Sequence, residues 1–339
     1  MKRYGNLYEK IYDKDNLRLA HQNARKGKTH YKEVIDVDTN IEFYINNIHE
    51  MLVNETYVIA HYRTFTKIDK GKEREIFVLP YYPDRIIQWA IVQILEPIWM
   101  PTFIDNTYSS LKGRGIHYGL HKLKKDLKNK DDTKYCLKID IKKFYPSINH
   151  IILKQIIRKK IKDNRLLSLL DNIIDSASGV PIGNYLSQYF GNLYLSGFDH
   201  WIKEKHHIKY YHRYCDDIVI LDGSKIFLHV LLKEIIKYLN DDLKLILKNN
   251  YQIFPTRIRG IDFLGYRFFG NYILLRKRIV KTLKRKMLSM SRFAELTKQE
   301  INIISSYAGW LKWCNGHRLT NKYIEPLRKK RLQLCQKAQ

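Results

Sequence analysis

The sequence predicts an α+β fold in which a central antiparallel sheet is packed by helices on one side. Three observations indicate this fold class. Residues 137–141 alternate like a buried strand that ends in an acid. Two short β-prone runs, 208–211 and 218–221, flank a tight acidic segment and predict a hairpin. The stretches between these strands carry apolar residues at the spacing of helices.

The remaining elements are predicted from periodicity and turn residues. Residues 1–50 are mixed and basic, and the cations of the run 18–31 either grip a phosphate backbone or form a solvated helix face. From residue 276 onward the pattern is helical and basic. Between them we expect, in chain order, an extended pair at 57–80, a helix opened by Pro83-Asp84, helices near 117–129, 148–161, 184–204 and 225–239, a strand at 243–247, and a β pair around 258–275.

The charge balance predicts a polyanionic partner. The 339 residues include 61 Lys and Arg against 34 Asp and Glu, which gives a formal net charge of +27. Because basic side chains release condensed counterions from phosphates, nucleic acid is the expected partner, and a membrane surface is the competing one. No apolar run approaches the ~20 residues of a membrane span, no signal peptide is evident, and the four cysteines lack metal-type spacing. These features predict a cytoplasmic protein, prokaryotic or phage-encoded, without a membrane partner, a disulfide or zinc.

The acidic segment Tyr214-Cys215-Asp216-Asp217 is the most informative stretch of the chain. Adjacent acids at a hairpin tip repel each other unless a cation joins them, and Mg²⁺ prefers such oxygen ligands. Taken alone, the pair is also typical of a solvated acidic turn. If the strand that ends in Asp140 neighbours the hairpin, three carboxylates can hold two Mg²⁺ ions. One ion would activate an attacking hydroxyl and the other would neutralise a leaving pyrophosphate, which is the chemistry of nucleotidyl transfer.

Several motifs resemble those of reverse transcriptases. Residues 137–148, Leu-Lys-Ile-Asp-Ile-Lys-Lys-Phe-Tyr-Pro-Ser-Ile, resemble their first catalytic motif, and residues 214–217 resemble the second. Residues 263–266, Phe-Leu-Gly-Tyr, resemble the hydrophobic grip that follows. Residues 181–188, Pro-Ile-Gly-Asn-Tyr-Leu-Ser-Gln, are similar to the reverse transcriptases of diversity-generating retroelements, and so are residues 191–200.

This resemblance implies a right-hand polymerase fold. Residues 1–50 would form a basic N-terminal extension, 51–135 with part of 150–185 the fingers, 136–275 the palm, and 276–339 a helical thumb. It also implies an RNA-directed DNA polymerase that makes error-prone cDNA from a template-repeat RNA, with misincorporation at template adenines, for mutagenic retrohoming.

The resemblance assigns the acids and one lysine to catalysis. Asp140, Asp216 and Asp217, with the backbone carbonyl of Ile141, would bind two Mg²⁺ ions, for which Mn²⁺ can substitute. Lys248 is positioned like a lysine that protonates the departing pyrophosphate.

Other positions are assigned to the substrates. Tyr145, beside Phe144, would lie under the sugar and exclude a 2′-hydroxyl, with plain core packing as the alternative. Arg74 would reach the incoming triphosphate, because Arg favours bidentate phosphate contacts, with an exposed strand arginine as the alternative. The further nucleotide-binding candidates are Lys72, Ile182 and Gly183. The template or primer candidates are Ser187, Gln188 and Arg114, with packing inside the helix as the alternative for Gln188.

Ile182 stands where many reverse transcriptases carry a glutamine. A glutamine would hydrogen-bond near the nucleotide sugar, whereas isoleucine can only pack against it. Because such polar contacts can each be worth ~1–3 kcal/mol in discriminating correct from incorrect geometry, we predict low fidelity.

The expected partners are a template RNA, a primer and its cDNA, dNTPs, and a small basic helical accessory protein of the retroelement. The alternatives are a retron or abortive-infection type reverse transcriptase in phage defence and, without enzymatic activity, an RNA-binding scaffold. The intact acids at 140, 216 and 217 argue against the scaffold, because a pure binder does not need repelling carboxylates in a basic cleft.

Overall fold

The structure is a computed structural model that describes residues 2–69, 72–293 and 295–330, with the side chains of Asp69 and Lys72 outside the described part. The chain divides into two compact units. The first unit comprises Met1–Gly113, Asp140–Lys209 and Lys233–Asn249, and the second comprises Arg114–Ile139, Tyr210–Leu232 and Asn250–Gln339.

The elements combine helices with antiparallel strands. The helices are α1 (Tyr8–Tyr12), α2 (Lys14–Ala24), α3 (Lys32–Thr39), α4 (Ile41–Val53), α5 (Ile86–Trp99), α6 (Ile116–Asp126), α7 (His150–Arg158), α8 (Asn164–Asp175), α9 (Tyr185–His200), α10 (Lys225–Asp241), α11 (Thr256–Arg259), α12 (Lys277–Met290), α13 (Lys298–Leu311) and α14 (His317–Leu319). The strands are β1 (Arg63–Asp69), β2 (Lys72–Val78), β3 (Tyr135–Asp140), β4 (Tyr210–Tyr214), β5 (Asp217–Asp222), β6 (Gln252–Pro255), β7 (Ile261–Phe263), β8 (Tyr266–Phe268) and β9 (Ile273–Leu275).

Helix α5 is the buried centre of the first unit, and it confirms the helix predicted after Pro83-Asp84. Most of its apolar residues at helical spacing, including Ile87, are fully buried, while Ile94 and Ile98 are half-buried. Helix α2 packs against it through Asn16, whose Nδ2 donates to the Ala90 carbonyl (3.2 Å), while Gln93 Nε2 donates to Asn16 Oδ1 (2.8 Å). The basic N-terminal segment is therefore helical and partly buried against α5.

The first unit also carries a strand pair and three further helices. Strands β1 and β2 form the predicted antiparallel pair, although residues 57–62 are not strand. Helices α7 and α9 confirm the helices predicted near 148–161 and 184–204. Helix α8 was not predicted, although its apolar positions follow the helical period and are buried: Leu166, Leu167, Leu170, Ile173 and Ile174.

The second unit is built on a four-stranded sheet in the order β4-β5-β3-β6. Strand β4 pairs antiparallel with β5, and β3 pairs antiparallel with β6. The inner strand β5 is buried from Ile218 to Leu221, which explains its continuous apolar run. Asp140, the last residue of β3, is counted with the first unit.

Two sequence predictions in this region are wrong. Residues 243–247 are not a strand, since only the isolated bridge between Ile141 and Leu247 forms there. In that segment buried leucines alternate with exposed residues because one face of the segment packs against the core, and this packing does not require hydrogen bonds to a neighbouring strand. The strand that pairs with β3 at this edge of the sheet is β6. The pair predicted around 258–275 is a three-stranded antiparallel sheet of β7, β8 and β9.

The turn between β7 and β8 depends on a glycine. Leu264 and Gly265 both have positive φ (54° and 85°), as a two-residue type I′ turn requires. A Cβ on Gly265 would lie 2.6 Å from the Trp310 ring of α13, so only glycine allows the ring to cover the turn. Helices α12 and α13 confirm the helical pattern predicted from residue 276 onward where the structure describes it, and residues 331–339 of that prediction lie outside the described residues. Within the described residues, no helix has both the length and the apolar character needed to cross a membrane.

Candidate active site

The acidic segment forms the tip of the β4–β5 hairpin, as predicted. Tyr214 pairs with Asp217, so Cys215 and Asp216 make the two-residue turn. Cys215 has a φ of 57°, the left-handed conformation that such a turn requires. Both acids are half-buried, so each side chain keeps a path to solvent.

Arg213 secures this turn from inside the hairpin. Its side chain is fully buried, and its Nη1 donates a hydrogen bond to the Cys215 carbonyl (3.1 Å). A buried guanidinium in the same hairpin reduces the electrostatic cost of placing two carboxylates side by side. The sequence reasoning missed Arg213, although a cation inside the β-prone run of a buried strand was a usable signal.

Asp217 pairs with a lysine of the neighbouring strand. Lys138 Nζ and Asp217 Oδ1 form an ion pair, and the same ammonium lies 5.2 Å from the centroid of the Phe263 ring. The two side chains are 21% and 30% exposed, so water only partly screens the pair. Burial raises the pKa of the nearby Cys136 thiol to about 12, so this thiol stays neutral beside the pair.

Asp140 meets the other predicted catalytic residue, Lys248. The Lys248 backbone N–H donates to the Asp140 carbonyl (2.9 Å), and Ile141 bridges Leu247, so the two segments are docked through their backbones. This docking brings Lys248 Nζ into an ion pair with Asp140 Oδ1. The structure therefore brings together the predicted acid and the predicted lysine, and the neighbouring Ile141 is fully buried.

The donor chemistry of these acids fits a hard divalent cation. Carboxylate oxygens are the ligands that Mg²⁺ prefers, and few are needed because the ion keeps waters and binds substrate phosphates. Asp140 and Asp217 each already accept a cationic group, and both remain partly open to solvent. Within the described residues, no group of three or more His, Cys, Asp or Glu side chains lies close enough to hold a metal ion by itself.

Tyr145 is held by a small polar cluster formed by Gln188 of α9 and Ser110 of the segment before α6. Its hydroxyl donates to Gln188 Oε1 (2.9 Å), and the Ser110 hydroxyl donates to the same oxygen (3.0 Å). A Cβ on Gly191 would lie 3.0 Å from the Tyr145 ring and 3.2 Å from the Phe144 ring, so this glycine lets both rings lie against the helix. Ser110 and Gly191 were not identified from the sequence, because nothing local marks them as neighbours of Tyr145.

The segment around Ile182 is fixed to strand β2. Phe77 N–H donates to the Ile182 carbonyl (2.9 Å), and a Cβ on Gly183 would lie 2.0 Å from the Phe77 carbonyl oxygen. Gly183 has a φ of 132°, so a glycine is required both for the conformation and for the close approach. Asn184 Nδ2 adds a hydrogen bond to the Tyr62 hydroxyl (2.7 Å). The half-buried side chain of Ile182 is thus presented from a rigid turn.

The other predicted binding residues lie in different settings. Ser187 is 1% exposed, and its hydroxyl donates to the Pro181 carbonyl (2.6 Å), so it braces the turn. Arg74 lies on β2 with an exposed side chain. Lys72 begins β2, but its side chain lies outside the described part. Arg114 lies half-buried just ahead of α6, in the second unit.

Comparison with known proteins identifies one family. Residues 65–268 match the family described as Reverse transcriptase (RNA-dependent DNA polymerase). The protein YkfC of Escherichia coli K12 is 25% identical over 274 residues, which cover 68% of this chain and 70% of that protein. The group II intron-encoded protein LtrA of Lactococcus lactis is 27% identical over 211 residues, covering 58% of this chain but only 35% of LtrA. The retron Ec73 reverse transcriptase of E. coli is 24% identical over 280 residues, covering 76% of this chain and 85% of the retron enzyme.

Proposed function

The chain belongs to the reverse transcriptase family, and from this premise we propose that it makes error-prone cDNA from the RNA of a diversity-generating retroelement. The membership confirms two predictions from the sequence, namely the RNA-directed DNA polymerase class and the α+β right-hand polymerase fold. The template repeat, the retroelement's accessory protein and the boundaries of fingers, palm and thumb are part of the proposal.

The proposed catalytic groups are the acids of the two motifs. Asp140, Asp216 and Asp217, with the Ile141 carbonyl, would hold two divalent ions, which we propose to be Mg²⁺. When bound, these ions supply activation of the primer hydroxyl and charge neutralisation at the pyrophosphate. Lys248 lies beside Asp140, where its ammonium is positioned to hold a proton near the leaving group.

The nucleotide is proposed to lie against side chains of the first unit. The Tyr145 ring, fixed by Gln188, would contact the sugar and exclude a 2′-hydroxyl. The exposed guanidinium of Arg74 would bind the triphosphate. Both roles are inferred from where Tyr145 and Arg74 lie relative to the family motifs. They are compatible with a half-buried Tyr145 and an exposed Arg74.

The observation that carries the error-prone proposal is the rigid presentation of an aliphatic side chain at 182. The Ile182 carbonyl accepts a hydrogen bond from the Phe77 N–H, and the aliphatic side chain offers no hydrogen bond to a nucleotide. A site that relies on packing alone discriminates less well than one with a directed hydrogen bond. We therefore propose misincorporation, concentrated at template adenines.

Sequencing of the cDNA products tests this proposal. Purified protein is supplied with Mg²⁺, a defined RNA and the cognate accessory protein, and Asp216→Asn is compared with wild type. Asp36→Asn, at an exposed position of α3, is the matched control for losing a carboxylate. We expect synthesis to be lost only in Asp216→Asn, with wild-type errors opposite adenines. Accurate copying would refute the retroelement assignment and leave the polymerase.

A second candidate is a retron-type reverse transcriptase. The supporting observation is the extent of the match to the Ec73 enzyme, 85% of whose length is covered by this chain. The two candidates differ in the expected errors: misincorporation opposite template adenines would favour the retroelement, and accurate cDNA would favour the retron type. Ile182→Gln separates the two further, because it should raise fidelity only where the native enzyme is mutagenic.

A further inference from the structure

A cavity of about 260 Å³ lies within the second unit, among α6, the β8–β9 connection and the end of α13. Its lining includes the apolar or aromatic side chains of Leu120, Tyr272, Ile273 and Trp313. Pockets that enclose a drug-sized ligand have volumes from ~300 Å³ upward, so this cavity has room for one small molecule and not for a helix or a run of nucleotides. None of the described residues that line it is acidic.

Two lysines without counter-ions border this cavity. Lys124 comes from the last turn of α6, and Lys312 follows the last residue of α13. Among the described residues neither ammonium group has an ion pair or a hydrogen bond, although Lys312 Nζ lies 5.9 Å from the centroid of the Trp313 ring. Cations are favoured at the C-terminal ends of helices, which explains each lysine singly. It does not explain two of them at one cavity without an acid, an arrangement that a bound anion would stabilise.

Tyr272 gives the cavity a flat aromatic wall. Its ring stacks on the Phe269 ring with a centroid distance of 4.8 Å and an interplanar angle of 14°. A hydrogen bond from the Phe269 N–H to the Tyr272 carbonyl (3.0 Å) closes the turn between them. Tyr272 is nevertheless 44% exposed. Because Phe269 covers one face of the ring, the other face is open to a planar ligand.

Trp313 is packed by the two histidines of α6. The His117 ring stacks on the indole (centroid distance 4.6 Å, interplanar angle 26°), and the His121 ring meets it edge-on (5.0 Å, 90°). Burial and the neighbouring His121 lower the pKa of His117, so the stacked imidazole is neutral at pH 7. The three rings form a preformed side of the cavity that adds no negative charge.

Asn315 supplies directed polar groups at the same place. Its backbone N–H donates to the Ile273 carbonyl (2.8 Å), and its Oδ1 accepts a hydrogen bond from the Ile273 N–H (2.8 Å). These two bonds fix the segment after α13 to the start of β9. The Asn315 Nδ2 group has no hydrogen-bond partner among the described residues. A carboxamide fixed in this way can donate to an acceptor on a base or a ribose.

We propose that this cavity binds a free nucleoside monophosphate, with the phosphate on Lys124 and Lys312 and the base against Tyr272. The open aromatic face fits a planar base, and two ammonium groups fit a phosphomonoester, whose charge at pH 7 is about −1.5 to −2. A polynucleotide would need space for the neighbouring nucleotides, which this volume does not provide. The lining shares no residue with the proposed dNTP site, so the chain has a second nucleotide site.

Calorimetric titration of the full chain with AMP, GMP, CMP and UMP tests the site. No divalent cation is added, so the metal ions proposed for the catalytic site are absent. Lys124→Met and Lys312→Met should each weaken binding by about tenfold, the loss of one charge-assisted contact. Two controls remove similar cations outside the cavity: Lys125→Met from the next, exposed position of α6, and Lys322→Met, whose ammonium lies 5.8 Å from the Tyr323 ring centroid. Both controls should bind as wild type.

The aromatic part of the site has its own variant. Tyr272→Ala should weaken nucleotide binding, whereas Tyr251→Ala, which removes a ring from a residue of similar exposure (42%), should not. Adenosine and ribose 5-phosphate should each bind more weakly than AMP, because each lacks one half of the ligand. Thermal melting confirms that every variant is folded. No binding of any of the four nucleotides, or unchanged affinity in the two lysine variants, would overturn the proposal, and so would equal affinities for AMP and ribose 5-phosphate.

Competition separates this cavity from the other places where a nucleotide can bind. A short RNA with a 5′-phosphate should not displace AMP. Displacement by that RNA at concentrations below those at which AMP binds would overturn the proposal and assign the cavity to RNA. Arg74→Met, in the proposed dNTP site, should leave the affinity for AMP unchanged. A loss in Arg74→Met as large as that in Lys124→Met would place AMP at the dNTP site and overturn the proposal, whatever the polymerase assays show.

Discussion

On the proposed role of Tyr145 in excluding a 2′-hydroxyl, Gln188→Leu should weaken the discrimination between deoxynucleotides and ribonucleotides, because Gln188 accepts a hydrogen bond from the Tyr145 hydroxyl. A single oxygen, Gln188 Oε1, accepts hydrogen bonds from the Tyr145 hydroxyl (2.9 Å) and the Ser110 hydroxyl (3.0 Å). Leucine has a similar volume and removes both bonds. The ring keeps its packing against Gly191, so its position becomes less well defined without being lost.

The expected magnitude follows from the number of bonds that act on the ring. A hydrogen bond of this kind contributes about 0.5–1.5 kcal/mol, and only one of the two restrains Tyr145 directly. A loss of about 1 kcal/mol corresponds to roughly a fivefold fall in the ratio of kcat/KM for a dNTP over the matching NTP. Tyr145→Ala, which removes the ring itself, should reduce the ratio further.

Single-nucleotide incorporation on a fixed primer–template measures that ratio. Gln155→Leu, at an exposed position of α7, is the matched control and should behave as wild type. The double variant Tyr145→Phe with Gln188→Leu should be no worse than the stronger single variant, because both remove the same hydrogen bond. Additive losses, or an unchanged ratio in Gln188→Leu, would refute the idea that this hydrogen bond positions the Tyr145 ring against the sugar.

Three further outcomes follow from the first unit. Gly183→Ala should lower the free energy of unfolding by about 2–4 kcal/mol in chemical denaturation, because its Cβ would lie 2.0 Å from the Phe77 carbonyl oxygen. Gly113→Ala is the control, because a Cβ there would have no atom within 4 Å. It should lower the free energy of unfolding by only about 1 kcal/mol. Burial lowers the pKa of His21 below its ordinary 6.5, so the unfolded chain binds the proton first as the pH falls. The free energy of unfolding should therefore decrease as the pH drops through about 6.5. Urea unfolding at several pH values measures this dependence, and His21→Gln should weaken it. Lys248→Met should tighten Mn²⁺ binding, measured by electron paramagnetic resonance, because the ammonium no longer competes for the carboxylate, and a weaker affinity would contradict this.

The parts of the site that could be predicted are those with a local signal. The hairpin at 210–222 was evident because two β-prone runs flank a polar turn of fixed length. Helix α5 was evident because its buried positions follow the helical period. In both cases the residues that determine the element are neighbours in the chain, so a single sequence contains the information.

The parts that could not be predicted depend on contacts between distant segments. Gln188 meets Tyr145 and Ser110 across separations of 43 and 78 residues, and no local pattern specifies which helix face turns toward which ring. The strand expected at 243–247 failed for the related reason that alternation reports a buried face but not a hydrogen-bonding partner.

The two lysines on the candidate metal ligands differ in kind from the arginine beneath the hairpin tip. Lys138 with Asp217, and Lys248 with Asp140, are 21% to 37% exposed, and ion pairs of this kind contribute about 0–1 kcal/mol because water screens them. Such pairs neutralise the acids while costing little to separate. Arg213 is fully buried and donates to the Cys215 carbonyl, and removing one partner of a buried hydrogen bond costs about 1–3 kcal/mol. The hydrogen bond from Arg213 therefore holds the hairpin turn more firmly than the lysines hold Asp140 and Asp217. The two carboxylates can exchange a lysine ammonium for a metal ion without a change in the hairpin.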